Sequence, residues 1–210
     1  MRPESWTIFG AGELIADIID AIESMGQQVD SLVLNMELER AVLDKVPGSI
    51  RVVSLDDFRP ASDHYFIGFL DPDKGSLLRS LKKHKLTYAN VVHRFSYVPG
   101  SVKMGQGNLI GAGAVLASNV RLGDFNFVNR AASIGHDTRI LHFNHVGPGC
   151  TIAGNCVVGS RNRFYTRSAV VNKLRIKDDI TVGAGAVVVE DLLAPGTYSG
   201  LPAKRRNRER

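Results

Sequence analysis

The sequence predicts an α/β domain followed by a parallel β-helix, and two regularities of spacing predict the β-helix. Between residues 90 and 190 an apolar residue returns at every sixth position without exception. A fixed short period is the signature of a solenoid, in which each hexad supplies a short strand and a corner. Three hexads then close one coil, with the periodic side chain pointing inward. These positions are Val92, Val98, Met104, Ile110, Leu116, Leu122, Val128, Ile134, Ile140, Val146, Ile152, Val158, Phe164, Val170, Ile176, Val182 and Val188.

Residues that recur at other fixed positions support the same register. Asn108, Asn126, Asn144 and Asn162 lie one coil apart, so we expect their amides to stack as a hydrogen-bonded ladder. Compact residues stand two positions before the inward residue, and both cysteines occupy this position on different faces of the coil. We therefore expect buried free thiols and no disulfide. The compact positions include Ala114, Ala132, Cys150, Cys156, Ser168 and Ala186.

Residues 5 to 90 follow another pattern. An apolar run at 6–9 leads into Phe-Gly-Ala-Gly at 9–12 and then into apolar residues at helical spacing over 14–22, which predicts strand, tight turn and helix. Further strands are predicted at 29–34, 51–53 and 64–70, with helices at 37–43 and 76–84. This alternation predicts a Rossmann-like α/β domain with a small open parallel sheet. We place this domain at 1–88, the β-helix at 89–198 and a basic tail at 199–210.

The glycines of the first turn indicate a ligand site. Free amides and the dipole at the start of the first helix favour an anion beside Gly10 and Gly12. Gly68 and Asp71, which follow a later strand, are expected to line the same crevice. The third glycine of the dinucleotide fingerprint is replaced by Ile15, which disfavours NAD. A purely structural turn is the alternative to a nucleotide or phosphate site.

Charge and hydropathy exclude two classes of partner. The formal net charge is +5, but residues 204–210 contain five basic residues and one acidic residue, so the rest of the chain is nearly neutral. A nucleic-acid-binding face is therefore not expected. The sequence contains neither an apolar run long enough for a membrane span nor a secretory signal, and we expect a cytoplasmic protein without membrane insertion.

The segment 129–137, Asn-Arg-Ala-Ala-Ser-Ile-Gly-His-Asp, carries the candidate catalytic residues. His136 stands two residues beyond the inward Ile134, outside the apolar interior, and imidazole is the group best suited to proton transfer near neutral pH. Asn129 is expected to position the acceptor or to support the histidine. Asp137 is a candidate to orient the imidazole, but neighbouring residues on a strand point to opposite faces. The identity of the orienting acid therefore stays open.

At these residues the chain resembles the hexapeptide-repeat acetyltransferases that modify sialic acid or nucleotide-linked amino sugars. The resemblance rests on Phe-Gly-Ala-Gly at 9–12, Ser-Ile-Gly-His-Asp at 133–137, Ile-Ala-Gly-Asn at 152–155, Val-Gly-Ala-Gly-Ala-Val-Val at 182–188, and Gly-Leu-Pro-Ala-Lys at 200–204. It implies a left-handed β-helix, a homotrimer with active sites between neighbouring helices, acetyl-CoA as donor, and a nucleotide-linked sugar bound by the N-terminal domain.

The same resemblance implies a role for each site residue. The reaction would be a direct attack on acetyl-CoA with a histidine base, with no metal, and the choice between an amine and a hydroxyl acceptor stays open. The implied catalytic residues are His136 and Asn129, and the implied acetyl-CoA contacts are His145, Gly154, Ala184, Lys204 and Arg205.

Two alternatives compete with this interpretation. A zinc enzyme of the γ-carbonic-anhydrase kind would use three histidines, for which His136, His142 and His145 are candidates. However, His136 and His142 occupy the same place in successive hexads and should face different sides of the prism. A non-catalytic sugar-binding scaffold is the second alternative, and the presence of His136 disfavours it.

Overall fold

The computed structural model describes residues 3–34, 40–70 and 74–206. The chain forms two compact units, which divide between Arg94 and Phe95. Within the described residues, no helix has the length and apolarity needed to cross a membrane.

The first unit contains a four-stranded parallel sheet in the order β3-β2-β1-β4. The spacing of Ile15, Ile18, Ile19 and Ile22 gives the first helix one apolar face, and all four side chains are buried. The predicted elements are present, although the strand expected at 64–70 ends at Ile67, and 35–39, where the second helix was expected to begin, lie outside the described residues. The elements are β1 (Ser5–Phe9), α1 (Ile15–Ser24), β2 (Gln28–Leu34), α2 (Arg40–Leu43), β3 (Arg51–Ser54), β4 (His64–Ile67), α3 (Gly75–Leu81), a 3₁₀ turn (Lys82–His84) and β5 (Val91–Val92).

The second unit is a three-sided parallel β-helix, as the hexad period predicts. Sheet 1 runs in the order β22-β21-β19-β16-β13-β10-β7, sheet 2 in the order β20-β17-β14-β11-β8, and sheet 3 in the order β18-β15-β12-β9-β6. The strands are β6 (Lys103–Met104), β7 (Leu109–Ile110), β8 (Val115–Leu116), β9 (Arg121–Leu122), β10 (Phe127–Val128), β11 (Ser133–Ile134), β12 (Arg139–Ile140), β13 (His145–Val146), β14 (Thr151–Ile152), β15 (Val157–Val158), β16 (Arg163–Phe164), β17 (Ala169–Val170), β18 (Arg175–Ile176), β19 (Ile180–Val182), β20 (Val187–Val188), β21 (Gly196–Ser199) and β22 (Lys204–Arg205).

The interior of the β-helix is built from the periodic residues. From Ile110 to Val188 each of them is at most 4% exposed. Strands pair in parallel with a shift of one full coil, so that Ser133 lies beside Val115 on one side and Thr151 on the other. The predicted register is therefore confirmed from Ile110 onward, whereas Val92, Val98 and Met104 at the start of the predicted repeat are only half-buried.

The compact positions are also buried, including both cysteines, which are free thiols as predicted. Burial raises the pKa of Cys150 to about 11 and raises the pKa of Cys156. Both thiols are therefore protonated near neutral pH and enclosed by the coil.

The asparagine ladder is present and completely buried. The Oδ1 atom of Asn108 accepts hydrogen bonds from the backbone N–H of Asn126, at 2.9 Å, and from its Nδ2, at 3.1 Å. Asn126 Oδ1 accepts from the same two groups of Asn144, and Asn144 Oδ1 accepts from the backbone N–H of Asn162 at 2.9 Å. Each amide thus joins its own coil to the next one.

We expect Asn126→Ala to destabilise the β-helix strongly, because it removes the acceptor of the buried Asn144 N–H and the side-chain donor to Leu141 O, and it weakens the hydrogen bonding of Asn108 Oδ1. Each buried polar group left without a partner costs roughly 1–3 kcal/mol, so the free energy of unfolding should fall by about 3 kcal/mol or more. Denaturant unfolding at one fixed protein concentration measures this change. Asn172→Ala, at an exposed position, is the matched control and should stay within about 0.5 kcal/mol of the wild type. Equal stability of the two variants would contradict the structural role of the ladder.

Candidate active site

The candidate catalytic histidine lies at the corner that follows β11. This corner, residues 135–137, is tied to both adjacent coils: Asp137 N–H donates to Ser118 O at 3.0 Å, and Asn155 N–H donates to His136 O at 2.8 Å. Asp137 has φ of 59°, in the left-handed region that Asp and Asn tolerate better than most residues. The backbone of the corner is therefore fixed from above and below.

His136 and Asp137 form a pair at this corner. Nδ1 of His136 lies 2.8 Å from Oδ2 of Asp137. The rule that adjacent residues point to opposite faces does not apply here, because the two residues lie in a turn and not in a strand. The left-handed backbone of Asp137 turns its carboxylate back toward the preceding imidazole. Asp137 is thus the acid beside the imidazole, a point that strand geometry had left open.

The carboxylate of Asp137 is held by a second group. Its Oδ1 accepts a hydrogen bond from Nδ2 of Asn119, one coil earlier, at 3.0 Å. The hydrogen bond with His136, and then the one from Asn119, hold the pKa of Asp137 below its ordinary value. An ionised carboxylate only accepts hydrogen bonds, so in the neutral imidazole Nδ1 carries the proton and Nε2 presents a lone pair. The exposed imidazole can therefore act as a base through Nε2.

Two glycines create the space around the imidazole. A Cβ atom on Gly154, in the next coil, would lie 2.8 Å from His136 Nε2 and 3.0 Å from its Cδ2. A Cβ atom on Gly135 would lie 2.4 Å from the backbone nitrogen of Gly154. Any side chain at either position would collide with the corner, so both glycines are required for the observed arrangement. Of the predicted site residues, the structure brings together His136, Asp137 and Gly154.

Other predicted site residues lie elsewhere on the β-helix. Asn129 begins the corner between sheets 1 and 2, where it is 7% exposed and its Oδ1 accepts from Arg130 N–H at 2.7 Å. Ala184 occupies the same corner three coils later, and His145 lies in β13. Within one chain, sheet 2 separates Asn129 and Ala184 from the His136 corner.

Lys204 and Arg205 form the terminal strand β22. This strand pairs antiparallel with β21, and the guanidinium of Arg205 donates to Pro195 O at 2.7 Å. The segment predicted as a tail from residue 199 therefore contributes an ordered strand to sheet 1. Its antiparallel direction follows from the turn at residues 200–203, which reverses the chain.

His142 has a structural role at a third corner. Its Nδ1 accepts a hydrogen bond from the backbone N–H of Asp124 at 2.9 Å. The carboxylate oxygen Oδ2 of Asp124 lies 3.2 Å from the same nitrogen, and we interpret this short distance as a result of the backbone hydrogen bond and not as an ion pair. His136 and His142 face different corners, as their spacing predicts, which disfavours the zinc alternative. Among residues 3–34, 40–70 and 74–206, no group of three or more His, Cys, Asp or Glu side chains could hold a metal ion.

Asn119 is the site residue that sequence reasoning missed. It stands one coil before Asp137, and this spacing of three hexads was the signal that could have identified it.

The predicted substrate crevice lies in the first unit, at the carboxyl ends of β1 and β4. Gly10 has φ of 69°, and a Cβ atom on Gly68 would lie 2.5 Å from Gly10 O, so both positions require glycine. Asp71, the fourth predicted residue, lies outside the described residues. A pocket of about 220 Å³ opens here, and its lining residues are Gly12, Glu13, Leu14, Gly68, Phe69 and Leu70.

The sequence matches no protein-family model and no curated protein. Solved structures nevertheless resemble the chain over nearly its whole length. One is perosamine N-acetyltransferase from Caulobacter crescentus, a variant with one histidine replaced by asparagine, in complex with CoA and GDP-perosamine. It is 27% identical, with 97% of each chain covered and a TM-score of 0.86.

Two further structures show the same fold at lower identity. The acetyltransferase domain of PglB from Neisseria gonorrhoeae is 22% identical, with 97% of this chain and 100% of that chain covered and a TM-score of 0.85. WeeI from Acinetobacter baumannii is 20% identical, with 96% and 99% covered and a TM-score of 0.74. The second unit is accordingly a left-handed β-helix. The resemblance predicted from the sequence is confirmed: over nearly its whole length the chain is similar to a sugar N-acetyltransferase crystallised with CoA, and the two structures of lower identity share its fold.

Proposed function

We propose that the protein transfers the acetyl group of acetyl-CoA to the amine of a nucleotide-linked amino sugar. The observation that carries this proposal is the His136–Asp137 pair, which presents Nε2 as a base at an exposed corner. The likeness to an N-acetyltransferase that was crystallised with CoA and GDP-perosamine supports acetyl-CoA as co-substrate and favours an amine as acceptor. A sugar hydroxyl remains the alternative acceptor.

The proposed reaction is a direct transfer with a single base. The amine nitrogen attacks the thioester carbonyl while Nε2 of His136 takes its proton, and the carboxylate of Asp137 stabilises the resulting imidazolium. The C–S bond then breaks, and the imidazolium returns the proton to the departing CoA sulfur. Neither cysteine competes as a nucleophile, because both thiols are buried and their pKa values are raised.

We propose that the complete site forms between copies of this chain in a homotrimer. Gly154 shares the His136 corner, whereas Asn129 and Ala184 lie at another corner, so only a second copy could bring Asn129 to His136. A groove between two copies would then have His136 and Gly154 on one wall and Asn129 and Ala184 on the other. Lys204 and Arg205 would lie toward the adenosine end of acetyl-CoA, and His145 would contact its acyl end.

The first unit is proposed to be Rossmann-like and to bind the nucleotide part of the acceptor beside Gly10, Gly12, Gly68 and Asp71. The short turn after β1 leaves backbone amides at the start of α1, where an anion is favoured. Glu13 also lines this pocket, where its carboxylate can accept hydrogen bonds from the hydroxyl groups of the ligand. A cytoplasmic location stays a prediction.

We expect purified protein to release CoA thiol from acetyl-CoA only with an amino-sugar nucleotide, in a panel of GDP-, UDP-, dTDP- and CMP-linked sugars. His136→Ala should lower kcat by about 100- to 10,000-fold, the usual effect of losing a general base, while acetyl-CoA binding measured by calorimetry stays near the wild-type value. Thiol release without an acceptor would indicate hydrolysis instead. Retention of more than about a tenth of kcat, with chemistry rate-limiting, would contradict the role of His136.

Gly154→Ala tests the packing of the imidazole. The added methyl group would lie closer to Nε2 and Cδ2 of His136 than van der Waals contact allows, so the imidazole ring must move. A displacement of this kind should lower kcat by about 10- to 100-fold. Gly100→Ala is the control, since a Cβ atom there meets nothing within 4 Å. Steady-state kinetics of both variants give the comparison, and wild-type kcat in Gly154→Ala would show that the glycine is not needed for His136 placement.

The interfacial site predicts a trimer in solution. Sedimentation equilibrium at micromolar concentration should give about three times the chain mass of 22.9 kDa. Mixing inactive His136→Ala with Asn129→Ala chains, followed by subunit exchange, should restore activity, because some interfaces then hold an intact His136 and an intact Asn129. A monomer, or the absence of complementation after verified exchange, would contradict a site shared between copies.

A further inference from the structure

We propose that Asn119 is a positioning residue for the catalytic pair, acting on His136 through Asp137. This inference rests on the proposed function. The three side chains form a continuous chain of contacts: Nδ2 of Asn119 donates to Oδ1 of Asp137 at 3.0 Å, and Oδ2 of Asp137 lies 2.8 Å from Nδ1 of His136. The two oxygens of one carboxylate thus face two different partners. Together with the backbone bond of Asp137 to Ser118, Asn119 fixes the plane of the carboxylate.

A neutral amide at residue 119 is better suited to orient the Asp137 carboxylate than a positively charged side chain would be. An exposed carboxylate with one partner rotates freely about its last side-chain bond, and the imidazole would then lose a fixed orientation. Lys or Arg at residue 119 would also hold the carboxylate, but its positive charge would oppose the formation of imidazolium at His136. A neutral amide donor orients Asp137 and leaves its negative charge available to the histidine.

Asn119 is itself held in place by the coil before it. Its backbone N–H donates to Oγ of Ser101 at 3.1 Å, and its φ is 62°. This left-handed conformation is the same as that of Asp137, at 59°, one coil later. Equal backbone conformations at stacked corners direct the two side chains to the same side of the β-helix, and the short amide then reaches the carboxylate without a change of backbone.

The position on the other side of Asp137 supplies a matched control. Asn155 also lies one coil away and has φ of 60°, but it bonds the His136 corner through its backbone N–H. A glycine at either position accepts the left-handed backbone without strain. Asn119→Gly and Asn155→Gly therefore make the same change at equivalent corners, and only the first removes a side-chain bond to Asp137.

The first measurement does not depend on catalysis. The hydrogen bond with His136, and then that from Asn119, lower the pKa of Asp137, so the removal of the amide should move this pKa upward toward its ordinary value. Carbon-13 NMR titration of the Asp137 carboxyl group, assigned by comparison with Asp137→Asn, follows this change. Asn155→Gly should leave the titration at the wild-type position. An unchanged Asp137 titration in Asn119→Gly would overturn the proposed contact.

The second measurement is kinetic. Asn119→Gly should lower kcat by about three- to tenfold, the scale of one ordinary hydrogen bond, with the KM for acetyl-CoA unchanged. Asn119→Asp keeps the shape but sets a second carboxylate against Asp137, so its kcat should be lower still near neutral pH. Wild-type kcat in either variant would overturn the positioning role. If His136→Ala were fully active while the Asp137 titration still shifted in Asn119→Gly, the proposed function would fail but the contact would stand.

Discussion

The structure depends on the burial of one apolar side chain in every hexad. Because this side chain must face the interior each time, the chain can turn only at fixed intervals, and every coil has the same length of three hexads. Each backbone and side-chain group is then placed beside its counterpart one coil earlier and later. The asparagine ladder, the paired glycines 135 and 154 and the contact of Asn119 with Asp137 all follow from this single constraint.

The same constraint decides where chemistry can occur. The interior is narrow and apolar, and even a thiol placed there has its pKa raised. Titratable groups that must exchange protons are therefore restricted to corners and outer faces. At a corner the chain passes through the left-handed region, which turns a side chain toward its sequence neighbour, and His136 and Asp137 meet for this reason. The backbone conformation of a corner in this fold thus allows two adjacent residues to form an exposed pair such as His136 and Asp137.

Spacing alone predicted the register of the β-helix, the buried cysteines, the asparagine ladder and the elements of the first unit. It did not predict the partner of His136, because strand alternation was applied to residues that form a turn. The positive φ of Asp137 and Asn119 was not used, although Asp and Asn tolerate it better than most residues and the same place in neighbouring hexads also adopts it. The role of Asn119 also depends on a contact between successive coils, which becomes visible only when the chain is aligned coil by coil. The separation of Asn129 from His136 depends on their different corners, which their closeness in the sequence conceals.

The parallel register of the three sheets has a consequence for how such a protein can change its length during evolution. A deletion of one residue inside the β-helix would turn inward-facing side chains outward in every later hexad. Removal or duplication of a whole coil leaves all remaining pairings intact. A coil added after Lys173, for example, would lengthen the solenoid and leave the surroundings of His136 unchanged. The length of the β-helix and the residues around His136 can therefore be altered independently of each other.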